Sequence, residues 1–162
     1  MAWNQSRLFA VVPGFGQGTD MSDLLSSLPP RFRMVHYDPD QLPDGDNDLT
    51  LGANCQRYAY AVLAHFSVDL PPFRSSELWT DSEYTRIVSD LQPLDLLLYG
   101  RRREPYGAHV VVYAGAGQAL HLSRLVGAPA MWFLSEFPLH DQYVCCIGAK
   151  RALASPVGWP LK

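Results

Sequence analysis

The chain has 162 residues, a formal net charge of −3, 48% hydrophobic and 18% charged residues, and three cysteines. That composition describes an ordinary globular protein with enough chain to bury a core as a single domain over residues 1–162. It argues against nucleic acid as the main partner, which needs concentrated positive charge, and against a disulfide framework, since one thiol must stay free and Cys145 and Cys146 are adjacent.

Residues 1–50 read as an N-terminal extension or variable subregion. Leu8 to Val12 is a short apolar run ended by Pro13-Gly14, and it predicts a strand. It is too short for a signal-peptide core, so synthesis as a cytoplasmic chain is expected, with a non-Sec route if the protein acts outside the cell. No run approaches the ~18 apolar residues of a membrane span, so no membrane partner is expected. Met21 to Leu28 predicts a helix stopped by Pro29-Pro30, and Arg33 to Tyr37 a short strand. The segment Asp38 to Asp48 is dense in acids and turn residues. Its spacing does not match a calcium-binding EF-hand loop, and it reads as a solvated loop.

The chain then reaches Gly52-Ala53-Asn54-Cys55-Gln56-Arg57-Tyr58-Ala59. From Cys55, the residues Ala59, Val62 and Phe66 recur at helical spacing and predict a helix to about Phe66 with one buried face. Cys55 sits in its first turn, where unpaired N–H groups and the positive end of the helix dipole favour the thiolate. Taken alone, a cysteine on an apolar face reads as a small core residue. Further on, Ser75 to Trp79, capped by Ser75 or Ser76, and Asp81 to Val88 read as short helical pieces.

From Leu94 the pattern changes to short apolar strands: Leu94 to Tyr99, then Ala108 to Tyr113, a Gly115-Ala116-Gly117 turn, and Gln118 to Ser123. Met131 to Leu134 reads as strand or turn, Tyr143 to Ile147 as a last strand, and residues 155–160 as irregular. A cysteine-bearing helix followed by an antiparallel sheet predicts the α+β class. His109 and His121 lie 12 positions apart across the glycine turn. An odd loop puts both imidazoles on one side of the sheet and an even loop puts them on opposite sides. The glycines at 115 and 117 favour a three-residue, odd loop. Cys55, His109 and His121 can then do cysteine chemistry: a thiol, an imidazole that takes its proton, and a polar group that holds that imidazole. The same three residues could be read as a zinc set, but the cysteine lies in a helix start and no second chelating pair lies near it, so no metal or cofactor is expected.

Three segments resemble the NlpC/P60 cysteine peptidases. Asn54-Cys55 leading into an aromatic-rich helix resembles that family's Asp-Cys-Ser-Gly-Phe-Val motif. Leu91-Gln92-Pro93-Leu94-Asp95-Leu96 is similar to its Leu-x-Pro-Gly-Asp-Leu strand. Ala108 to His121 is similar to its His-Val-Gly-Ile-Tyr-x-Gly-x-Gly-x-x-Ile-His stretch. The resemblance covers roughly residues 50–150. It implies a papain-like catalytic core, Cys55 as nucleophile, His109 as general base and His121 as the residue orienting it. It also implies a peptide or peptidoglycan-fragment substrate cut at a γ-D-Glu–diamino acid amide. The departures Asn54, Gln56-Arg57, Leu94 and Val111 lie around the oxyanion and substrate side, and Asn54, Gln56 and Arg103 are the candidate substrate-binding residues. A family tyrosine that helps position the thiol is matched to Tyr37. The chain order Cys-His-His favours the peptidase branch over the permuted lecithin:retinol acyltransferase-like branch. A non-enzymatic binding domain of the same fold is the third reading. Nothing in the sequence identifies an inhibitor or immunity protein.

Overall fold

A computed structural model describes residues 24–153. The strand expected at Leu8 to Val12 and the irregular tail at 155–160 lie outside them. In chain order the elements are α1 (Leu24–Ser27), a 3-10 turn (Pro30–Phe32), α2 (Cys55–His65), α3 (Ser75–Thr80), β1 (Thr85–Val88), β2 (Leu96–Gly100), β3 (His109–Gly115), β4 (Gln118–Leu122) and β5 (Pro129–Phe133). Two 3-10 segments, Leu134–Leu139 and Asp141–Tyr143, lead into β6 (Cys145–Ala152). The six strands form one antiparallel sheet in the order β1-β6-β2-β3-β4-β5. The α+β class is as expected.

Side chains alternate across a strand, so the sheet builds two cores. On one face Leu96, Leu98, Val110, Val112, Leu120 and Leu122 pack against α2 through Ala59, Val62 and Leu63. On the other, Leu97, Tyr99, Val111, Tyr113 and Ala119 pack against Phe137 and Tyr143 from the 3-10 segments. β2 and β3 are buried on both faces, which is why they read as unbroken apolar runs.

Helix α2 starts at Cys55 because the Asn54 side chain accepts the Arg57 N–H at 2.8 Å. Its expected apolar stripe is only part of its buried surface: Cys55 to Leu63 are all buried. Residues 24–50 wrap its outer side. Leu24, Leu28 and Phe32 join the α2 core. Tyr58 donates its hydroxyl to the Phe32 carbonyl at 2.8 Å. The Arg57 guanidinium reaches the Asp48 and Leu42 carbonyls and the Asp44 carboxylate. Gly52 adopts φ +93 with the His36 carbonyl so close that an added Cβ would sit 2.9 Å from it, so no larger residue fits where the chain turns into α2.

Several local expectations are corrected. Arg33 to Tyr37 forms no strand; a lone parallel bridge joins Tyr37 to Ala53. Residues 81–88 are not helical. Asp81 ends α3, and Thr85–Val88, rich in β-branched residues, pairs with β6 as an edge strand. Neither serine caps α3. Glu77 accepts the Arg74 N–H at 2.7 Å, and the Ser75 hydroxyl instead accepts the Ala108 N–H at 3.1 Å. The last strand begins two residues later than expected and runs further, and Tyr143 belongs to the preceding 3-10 segment. Leu94, where the resembling motif has glycine, takes φ 77 and holds that strained backbone by core packing.

Candidate active site

Cys55 opens α2 and lies 9% exposed at the wall of a cavity of about 750 Å³ that His109, Tyr37 and Tyr143 also line. Burial pushes its thiol up to about 11, while the backbone N–H groups of Val110, Gln56 and Cys55 itself pull the other way. The expectation that the helix start alone favours thiolate is therefore corrected: desolvation of the anion outweighs the donors. The contact with Val110 places the sulfur against the beginning of β3, next to His109.

The two imidazoles meet. His109 Nε2 and His121 Nδ1 are 2.9 Å apart, with the rings edge to face. The turn that brings them together differs from the expected three-residue loop. Its central residues are Ala116 (φ 54) and Gly117 (φ 75), a two-residue primed turn, with Gly115 paired to Gln118. An even loop alone would set Val112 opposite His121 and point that imidazole into the α2 core. The register shifts between Tyr113 and Gly115, so Ala114 is a one-residue bulge and the pairs become Tyr113↔Ala119 and Val112↔Leu120. Continued, that register sets Val111 opposite His121 and His109 opposite Ser123. The bulge restores the odd parity, and both histidines share the face carrying Val111 and Tyr113.

Burial holds His109 well below the ordinary imidazole value of 6.5, and the neighbouring His121 adds to the effect. Burial, then the charge of His140, brings His121 down to about 3. Both rings are therefore neutral near pH 7. His121 Nε2 has no hydrogen-bond partner. Trp132 and Phe137 stand edge-on to the His121 ring at 4.3 and 4.9 Å. Among the described residues no group of three or more His, Cys, Asp or Glu side chains is arranged to hold a metal ion.

No protein-family model matches the sequence, and no curated protein matches it. Solved structures do match the fold. An NLP/P60-family lipoprotein-like protein of Staphylococcus aureus superposes with a TM-score of 0.57 at 16% identity, over 83% of this chain and 42% of that one. NlpC2 of Trichomonas vaginalis superposes with a TM-score of 0.57 at 14% identity, over 83% and 46%. The NlpC/p60 domain of the peptidoglycan hydrolase SagA gives 0.51 at 17% identity, over 83% of this chain and 100% of that domain. This chain has an NlpC/P60-like fold. It spans less than half of the staphylococcal and Trichomonas proteins and the whole of the SagA domain.

Within this NlpC/P60-like fold the other candidate residues take different places. Asn54 and Gln56 are buried and serve the helix start: Asn54 caps α2, and its amide donates to Gln56 Oε1 at 3.2 Å. Neither lines the cavity. Arg103 does not line it either. Its guanidinium donates to the Cys146 and Ile147 carbonyls of β6, both at 3.3 Å. Its neighbours Arg101 and Arg102 do line the cavity, with Arg124 from the loop after β4. Tyr37 also lines it, below the Arg124 guanidinium at 5.7 Å. The sequence reading missed Tyr143, whose ring stacks on His109 at 4.5 Å. No periodicity points to it, because it sits in an irregular segment more than thirty residues past the histidine that it touches.

Proposed function

We propose that the protein is a cysteine amidase or peptidase in which Cys55 is the nucleophile, His109 the general base and His121 the residue that orients it. The observation that carries this reading is the His109–His121 hydrogen bond on the wall of the cavity that holds the Cys55 thiol. The tautomer follows from it. For His109 Nδ1 to accept a proton, Nε2 must carry one and donate it to His121 Nδ1. His121 then carries its own proton on Nε2, among aromatic rings.

The free protein rests as a neutral thiol and a neutral imidazole. As substrate arrives, the thiol proton moves to His109 and the sulfur attacks the amide carbonyl. In this reading the oxyanion takes its hydrogen bonds from backbone N–H groups at the start of α2; losing one such donor typically costs about 100- to 1000-fold in rate. His109 then gives its proton to the leaving amine, and water hydrolyses the thioester.

For the substrate, the reading is a peptide or peptidoglycan fragment of the γ-D-Glu–diamino acid type. Peptidoglycan hydrolase is the activity named for SagA, whose domain shares this fold. The cavity walls support a substrate bearing carboxylates: Arg101, Arg102 and Arg124 have no carboxylate partner among the described residues, against Glu104 as the acid in the same lining.

The test is hydrolysis of γ-D-Glu–diaminopimelate peptides, followed by mass spectrometry. Wild type should release the two fragments and Cys55→Ala should fall to the uncatalysed background. Intact peptide with wild type, together with no covalent labelling of Cys55 by a peptide acyloxymethyl ketone that carries the same γ-D-Glu residue, would remove the enzyme reading in favour of a binding domain.

A further inference from the structure

We infer that Tyr143 is a positioning residue for the His109 base: its ring stacks on the imidazole, and its hydroxyl is tethered to Ser123. The inference rests on the Cys-His-His reading, but its geometry stands apart from any substrate. The Tyr143 and His109 rings lie 4.5 Å apart at 20°, a stacked pair, and Tyr143 is 6% exposed. Tyr143 Oη lies 2.6 Å from Ser123 Oγ. Ser123 directly follows β4, opposite His109 in the continued register. One side chain thus bridges a cross-strand pair, holding the face of one residue and the hydroxyl of the other.

Ser123 Oγ also accepts the Leu125 N–H at 3.0 Å, and Ser123 is fully buried. Either hydroxyl can donate in the Ser123–Tyr143 bond, and both arrangements hold the phenol oxygen in place. The phenol keeps its proton, because burial pushes its ionisation up. The tyrosine is therefore pinned at its far end, and its plane sets the plane of His109. His121 holds Nε2 and the Cβ–Cγ bond holds the other end of the His109 ring, which leaves the ring its tilt about that line; the stack on Tyr143 opposes that tilt. A base rotated off its line to the sulfur loses proton transfer steeply, by about 100-fold for a displacement of ~1 Å.

Two measurements on the full chain test this. The first is the order of the His109 imidazole ring by NMR relaxation, which reads ring motion whether or not a substrate is known. Wild type should show a rigid ring. Tyr143→Leu should show clearly enlarged ring motion, and Ser123→Ala, which keeps the ring and loses the tether, a smaller increase in the same direction. The second is the iodoacetamide rate of Cys55 at pH 7, expected to fall about ten-fold in Tyr143→Leu and about two- to three-fold in Ser123→Ala, with Tyr143→Phe falling between wild type and Tyr143→Leu. Should Tyr143→Leu fail to fold, Tyr143→Phe and Ser123→Ala carry the test. Folded variants with wild-type His109 ring order overturn the inference, even if Cys55 proves catalytic. A loosened ring in the variants of a wild-type protein that hydrolyses no peptide keeps the positioning and removes the enzyme reading instead.

Discussion

The two faces of the central sheet are made from the same strands and do opposite work. On the α2 face, β3 and β4 present Val110, Val112, Leu120 and Leu122, all fully buried and apolar. On the other, the same strands present His109, His121 and Ser123, as buried as their neighbours, among Tyr99, Tyr113, Trp132, Phe137 and Tyr143. On β3 and β4 the first face has no polar side chain to satisfy and gains from burial alone. The second holds polar groups that burial penalises, and it pairs them, His109 with His121 and Ser123 with Tyr143, while His121 Nε2 is left without a partner. The lesson is that the site is built into a second core rather than into surface loops. The loops supply only its charged walls.

The contrast can be broken from either side. The largest effect on stability should come from the apolar face. Leu98→Ala removes a fully buried side chain between the sheet and α2 and should cost about 2–5 kcal/mol in urea unfolding. The iodoacetamide rate of Cys55 in the folded protein should stay near wild type. A Leu98→Ala protein of unchanged stability would mean that the α2 face is not the stabilising one.

The polar face should appear in acid. Both histidines have folded values below their ordinary 6.5, so the unfolded chain takes up protons first as pH falls. Their contribution is whole above about pH 6.5 and is lost below it, for His121 across the window from 6.5 down to about 3. Each buried histidine can steepen the acid limb by up to about 1.4 kcal/mol per pH unit. His121→Gln, which keeps an acceptor for His109, should flatten that limb by about one such increment in denaturant titrations at pH 4 to 6. An unchanged slope would mean that His121 titrates as freely in the folded protein as in the unfolded one.

The smallest effect belongs to the turn that sets the register. Ala116 is exposed and holds φ 54, a left-handed conformation that costs a non-glycine residue about 1 kcal/mol. Ala116→Gly should raise the melting temperature by a few degrees, corresponding to up to about 1 kcal/mol, without moving His121. A loss of stability would mean that the turn takes another shape.

How far the chain was legible depended on how local each signal is. The Cys55 helix, the β2–β3–β4 run and the α+β class were readable because helix periodicity, a capping residue and β-branched runs act within a few residues of themselves. Thr85–Val88 was misread as helix because a four-residue edge strand is decided by its partner, β6, more than sixty residues away. The separate places of Arg101, Arg102 and Arg103 were not legible for a similar reason: in a run of three arginines, only the fold determines which one bonds the β6 carbonyls and which ones line the cavity.

By itself, then, the amino-acid order determined that a cysteine would open a helix and that two histidines would sit on neighbouring strands. Turn chemistry and side-chain periodicity are properties of short stretches. The tertiary structure alone decided that those histidines share a face, because a single bulged residue, Ala114, corrects the parity of an even turn. It alone decided that the thiol and both imidazoles rest neutral, because desolvation depends on what is packed around a group. And it alone brought Tyr143 against His109, a contact that no spacing in the chain encodes.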